Sequence, residues 1–315
     1  MTKSSATIFD GARHRPRTGK TQDEPGNTSS TRGIARLVRG MPTSDGAGVK
    51  LTRVIGQGQL PDLDPFLMLD EFGTDNPGDY IAGFPDHPHR GFETVTYMLD
   101  GRMRHRDNHG HEGVLVPGSV QWMTAGRGIV HSEMPEQQEG RMRGFQLWIN
   151  LPARDKMTAP KYQEFGPQVI PTVTVGGARV KVIAGEVAGL AGPIAQPATD
   201  PTYLDVELEP GVRFSHALPT GHAAFLYVYE GALRVGEGNR ADTVDTHQLA
   251  VLTEGERVRL EGVAPSRKGT TARPARAILV AGRPLREPVA KYGPFVMNTR
   301  EELMRAFEDY QGGRF

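Results

Sequence analysis

The chain has 315 residues, enough for two domains of ordinary size, each with its own core. Its 37 basic residues balance 37 acidic ones, so no overall field draws it to nucleic acid or to an anionic membrane. Cysteine is absent, which excludes disulfides and thiolate ligands and leaves any metal to His, Asp and Glu.

Residues 1–32 are rich in Ser, Thr, Gly, Pro and charge, and are expected to form a disordered leader. The cluster Arg13-His14-Arg15-Pro16-Arg17 reads as part of a solvated tail. No secretory apolar segment is present there, and no apolar run approaches the roughly 20 residues needed to span a bilayer. A cytoplasmic monomer is the expectation.

From residue 33 to 153 the chain reads as short strands separated by turns. Ile34 to Val38 and Val49 to Ile55 come first, followed by the break at Pro61-Asp62-Leu63-Asp64-Pro65 and then Phe66 to Phe72. Turn residues dominate from Asn76 to Pro88. Phe92 to Leu99, Arg102 to Arg106, Val114 to Val116, Val120 to Met123, Ile129 to Glu133 and Gly144 to Leu151 follow. Strands at this spacing predict an all-β sandwich or barrel. Residues 154–168 read as a linker with one helical turn. Residues 169–315 form a second strand-rich block with one convincing helix at its end. There Asn298 or Thr299 is the N-cap, Glu301 and Glu302 fill the first turn, and Leu303, Ala306, Phe307 and Tyr310 form the apolar face.

Sliding the chain by 130 residues lays Tyr97-Met98-Leu99-Asp100-Gly101 on Tyr227-Val228-Tyr229-Glu230-Gly231, the mark of one fold duplicated in tandem. At that offset His87 falls on Ala217, His89 on Pro219, Glu93 on Ala223, His131 on Glu261 and Glu133 on Val263.

Six of the ten histidines lie between positions 87 and 131. In a strand, side chains at i and i+2 share a face, so His87 and His89 project together, as do His131 and Glu133. Two such strands set opposite each other bring three imidazoles and a carboxylate to one point. That donor set suits Fe(II), Ni, Cu, Mn or Zn with positions left open. His105, His109 and His111 read as solvated loop residues, and His216, His222 and His247 as structural. Gly126-Arg127-Gly128 lacks the Lys-Ser/Thr of a phosphate loop and reads as a sharp backbone bend. Trp122, Met123, Phe145, Leu147 and Trp148 are expected to line or close the first barrel.

His87-Pro88-His89-Arg90-Gly91-Phe92-Glu93-Thr94-Val95 and the run from Gln121 to Pro135 closely resemble the pirin family of bicupins, as does Tyr292-Gly293-Pro294-Phe295-Val296-Met297-Asn298-Thr299 ahead of a helix. The resemblance covers about residues 33–315. It implies two tandem cupin-type β-barrels with a C-terminal α-helix, and one divalent metal in the first barrel on His87, His89, His131 and Glu133. Iron as Fe(II) is the first expectation, with Ni, Cu, Mn, Co or Zn as alternatives. In many cupins the carboxylate ligand stands where Glu93 does, and the resemblance assigns that role to Glu133. It further implies a quercetin 2,3-dioxygenase-type oxidoreductase taking dioxygen and a flavonol or related enol, with Glu133 as catalytic base. The alternative it carries is a non-enzymatic regulator that binds a transcription factor or metabolic enzyme.

Overall fold

The structure is a computed structural model that describes residues 30–264 and 273–315. Most of the expected leader, and Arg13 to Arg17 with it, lies outside the described residues. Its end does not: Thr31 bridges to Arg257, and Arg32 is buried.

Two seven-stranded antiparallel sheets each close against a four-stranded sheet. The first large sheet runs Lys161–Phe165, Val120–Thr124, Phe92–Asp100, Met142–Asn150, Phe66–Thr74, Val49–Ile55 and Met41–Asp45. Its small partner runs Phe84–His89, Ile129–Pro135, Met103–Asp107 and Glu112–Leu115. The second copy repeats the plan. Its large sheet runs Ile34–Arg39, Gln248–Leu252, Ala223–Glu230, Ala275–Gly282, Thr202–Leu208, Ala178–Ala184 and Thr172–Val175. Its small sheet runs Arg213–Ala217, Arg257–Gly262, Ala232–Val235 and Asp242–Asp245. Two tandem cupin-type barrels and a C-terminal helix are thus what the chain builds.

The barrels exchange one edge strand. Ile34–Arg39, which chain order groups with the first barrel, pairs with Gln248–Leu252 of the second. Lys161–Phe165, inside the expected linker, pairs with Val120–Thr124 of the first. The linker's single turn is the 3-10 turn Ala153–Asp155. Each strand covers an otherwise open sheet edge, which satisfies main-chain groups and ties the two units together.

The core between the barrels is aromatic. Tyr97, Trp122 and Phe145 of one large sheet meet Tyr203, Phe225 and Tyr227 of the other. Burying a side chain of this size stabilises by about 1.5–3 kcal/mol. Hydroxyls placed there find acids: Tyr97 and Tyr229 donate to Asp205 at 2.6 and 2.5 Å, and Tyr227 donates to Glu71 at 2.6 Å. Trp122, Phe145 and Leu147, expected to line the first barrel, therefore face the other barrel instead. Strand alternation explains this, because the opposite set of residues points into the barrel. The second barrel is filled by side chains such as Leu218, Leu233, Val258 and Leu260.

The helix Arg300–Gln311 starts at Thr299, whose Oγ1 accepts from the Glu302 N–H at 3.2 Å while the Glu302 carboxylate accepts from Thr299 N–H at 3.0 Å. This reciprocal pair satisfies two end donors and fixes the helix start. Ala306 is the buried residue of its apolar face, and Phe307 packs edge-on against Phe295 at 4.8 Å. Among the described residues no helix is long and apolar enough to cross a membrane.

Candidate metal centre

The strands Phe84–His89 and Ile129–Pro135 lie side by side, with His131 opposite His87 and Ile129 opposite His89. Pro85 and Pro88 are tolerated because their strand is a sheet edge, where a missing N–H breaks no inner ladder. The alternation places the rings of His87, His89 and His131 on one face, with centroids 4.4 to 5.0 Å apart. One ring nitrogen from each lies within 4.8 Å of the others.

His89 and His131 are buried and His87 half-buried. Burial, then the neighbouring imidazoles, pushes His89 and His131 well below the ordinary histidine value, so both rings are neutral and their lone pairs available. His87 Nδ1 lies 2.8 Å from the Pro85 carbonyl, which sets the tautomer and leaves Nε2 free. Neither nitrogen of His131, nor Nδ1 of His89, has a hydrogen-bond partner among the described residues. Buried polar nitrogens are seldom left so. A divalent ion fits: the three imidazoles would ligate it, and it would satisfy the bare nitrogens of His89 and His131, with positions left over.

Glu133 is buried and borders the same cavity, but it stands outside that cluster. Its two oxygens accept from Thr96 Oγ1 and from Gln146 Nε2, each at 3.0 Å. A bulge between His131 and Glu133 sets Glu133 opposite Phe84.

Glu93 does not face the centre. Counted by strand parity alone, Glu93 would share the face of His87 and His89, but the count fails at Arg90-Gly91, where the strand breaks and Gly91 takes φ +86°. Glu93 instead points between the barrels, where it accepts from Thr124 Oγ1 at 2.6 Å and Gln196 Nε2 at 2.5 Å. Burial, against these donors, raises its pKa.

The cavity over the histidines has a volume of about 660 Å³, with Met68, Phe72 and Trp148 on its walls and Lys291 and Pro294 at its edge. Trp148 meets His89 edge-on at 5.2 Å. Met123 packs with Ala125 and Ile129 beneath Tyr162. His105, expected in a solvated loop, is buried in the strand Met103–Asp107, its Nε2 2.7 Å from Glu164. His109 and His111 are exposed, as expected, at the turn beyond it.

Register also corrects the repeat. Glu133 stands opposite His105 as Leu260 stands opposite Val235, and His131 opposite His87 as Val258 opposite His216. The counterparts of His87, His89, His131 and Glu133 are therefore His216, Leu218, Val258 and Leu260. Loops of unequal length shift the offset from 130 along the chain. His216 keeps a ring but stacks on Phe214 at 6.0 Å. The other three positions have become core.

Residues 48–149 match the family described as Pirin, and residues 203–315 match the Pirin C-terminal cupin domain. The chain belongs to the pirin family. It is 56% identical to a pirin-like protein of Caulobacter vibrioides over 90% of this chain and 99% of that one. It is 43% identical to human pirin, covering 90% of this chain and 94% of the other. Among solved structures it is similar to a quercetin 2,3-dioxygenase from Acinetobacter baumannii, with a TM-score of 0.81 and 32% identity over 91% of this chain and 99% of that one. Thr96 and Gln146, which hold Glu133, escaped the sequence reading because they sit on strands joined to it only through tertiary pairing.

Proposed function

We propose that this pirin is a mononuclear non-haem metal oxygenase of the quercetin 2,3-dioxygenase type, acting on a flavonol or a related enol with dioxygen. The observation that carries it is the convergence of His87, His89 and His131 beside a ligand-sized cavity, with both nitrogens of His131 and Nδ1 of His89 left without a partner among the described residues. A volume of about 660 Å³ lies within the several hundred cubic ångströms typical of small-molecule sites. The similarity to the Acinetobacter dioxygenase supports the reaction type.

His87, His89 and His131 would hold the ion, with Glu133 beside them as fourth ligand or as base. A bound redox-active ion, Fe(II) foremost, supplies a Lewis acid for the enol oxygen and an electron path to dioxygen. The protein's own part is positional. Trp148, Met68 and Phe72 offer apolar faces to a flat ring and exclude water. Thr96 and Gln146 orient the Glu133 carboxylate, which takes the proton of the enolic hydroxyl as it ionises.

The test pairs metal analysis of gently purified protein with oxygen uptake on a quercetin panel. The expected result is one redox-active ion per chain and substrate-dependent uptake, both lost in His131→Ala. Uptake that survives loss of the metal would overturn the reading.

A further inference from the structure

The segment that follows the second barrel reaches back to the barrel that carries the three histidines. The short strand Phe295–Met297 bridges to Arg90, the residue after His89: Arg90 N–H donates to Pro294 O at 3.3 Å, and Arg90 O accepts from Val296 N–H at 3.0 Å. The Arg90 side chain is nearly fully buried. Its guanidinium donates to the Arg127 carbonyl and to Asp309 of the helix at 2.7 Å, and lies 4.3 Å over the ring of Phe315. Phe315 in turn fills the space above Gly128, where a Cβ would sit 2.7 Å from its ring. Its carbonyl accepts from Asn108 Nδ2 at 3.0 Å, and Asn108 pairs with Val130 beside His131. One segment thus grips the end of the His89 strand and the start of the His131 strand together.

The second barrel shows what this grip replaces. There the cation is Arg32, which donates to the carbonyls of Pro219, His222, Thr253 and Gly255. Register makes Pro219 the counterpart of Arg90, and Gly255 that of Gly128. A barrel without metal ligands is closed by carbonyls of its own loops. The barrel with the three histidines recruits a helix from outside the repeat.

We propose that residues 290–315 are the retaining clamp of the metal centre, with Arg90 and Phe315 as positioning residues that slow the ion's release. The inference rests on the reading of the three histidines as a metal site. Groups that orient ligands without touching the ion commonly change metal affinity by 10- to 100-fold. A fork-shaped guanidinium can hold a carbonyl, a carboxylate and a ring at once, and an ammonium cannot.

The test loads the full chain with Co(II), records its absorption bands, and follows their decay after addition of excess EDTA. Phe315→Ala combined with Asp309→Asn loosens the helix from outside, and Arg90→Lys keeps the charge but removes the fork. Release at least about tenfold faster in both, with shifted Co(II) bands and an unchanged near-ultraviolet circular dichroism spectrum, is the expected result. Wild-type rates and bands in both variants would overturn the clamp while leaving the metal site standing. Wild-type protein that takes up no Co(II) would remove the metal reading and the clamp with it.

Discussion

Glu133 enters the cavity with both oxygens already engaged, by Thr96 on one side and Gln146 on the other. That fixes its direction without supplying a charge partner, which suits a group that must accept a proton from substrate. If the three histidines hold the ion and Glu133 serves as base, the two roles separate by mutation. Glu133→Gln is expected to keep metal within about tenfold of wild-type affinity yet lose about 10²–10⁴ in kcat, whereas His131→Ala loses both. Metal titration run beside oxygen uptake decides it; parallel loss of metal and turnover in Glu133→Gln would make the carboxylate a ligand first. At this scale the sequence was informative where local geometry decides. The shared face of His87, His89 and His131 follows from alternation within two strands, while the bulge after His131 sets Glu133 apart from it. Glu93 does not share that face, because Gly91 breaks the strand between it and His89, and counting parity is valid only along an unbroken strand. Trp122 and Trp148 read alike in sequence, yet face opposite sides of one sheet.

Among the elements, those with apolar alternation were legible and those at edges were not. Phe92–Asp100, Ile129–Pro135 and Met142–Asn150 lie within two residues of where the pattern puts them. Met41–Asp45 is exposed throughout, and Lys161–Phe165 largely polar, so neither carries a hydrophobic signature; each is a strand only because a neighbour's open edge receives it. The same logic makes the junctions vulnerable. Gly91 at φ +86° would place a Cβ 2.0 Å from the Val296 carbonyl, where Lys156 Nζ also donates, to Gly91 O at 2.7 Å and Val296 O at 2.9 Å. Gly91→Ala therefore faces both backbone strain and a clash with main chain that cannot swing aside. We expect a loss of about 2–4 kcal/mol in urea unfolding, together with faster proteolysis between residues 290 and 315. A Gly126→Ala control meets a comparable obstacle at Thr158 O and should cost about as much without freeing the helix. Equal protease resistance of Gly91→Ala and wild type would show that the C-terminal segment docks independently of that turn.

For the whole molecule, the duplication divides labour: one barrel keeps a polar, histidine-lined interior and the other turns most of the same positions into core. What holds the halves in register is charged as well as apolar. Arg143 of the first barrel donates to Glu71 at 2.9 and 2.7 Å, to Glu230 of the second at 2.5 Å and to the Tyr229 carbonyl at 2.8 Å, while Tyr227 and His247 approach Glu71 from the other side. Burial alone would raise the Glu71 carboxyl, but donors from His247, Arg143 and Tyr227 outweigh it and hold the group below its ordinary 4.5. A depressed acid stabilises the fold above its unfolded value and loses that contribution as pH falls through the folded one. Wild type should therefore lose stability below about pH 4.5, and Glu71→Gln should show a shallower loss over the same range. Removing only the cation is worse than removing the pair. Arg143→Met leaves a carboxylate buried between barrels with its strongest partner gone, a cost of about 3–5 kcal/mol. The double variant Glu71→Gln, Arg143→Met should recover a large part of that loss, because no charge remains to be solvated. Urea unfolding of the four proteins at pH 7 and pH 4 completes the cycle. Strict additivity at pH 7 would mean that the aromatic core alone sets the register of the barrels, and that the ion cluster merely occupies space the fold had left.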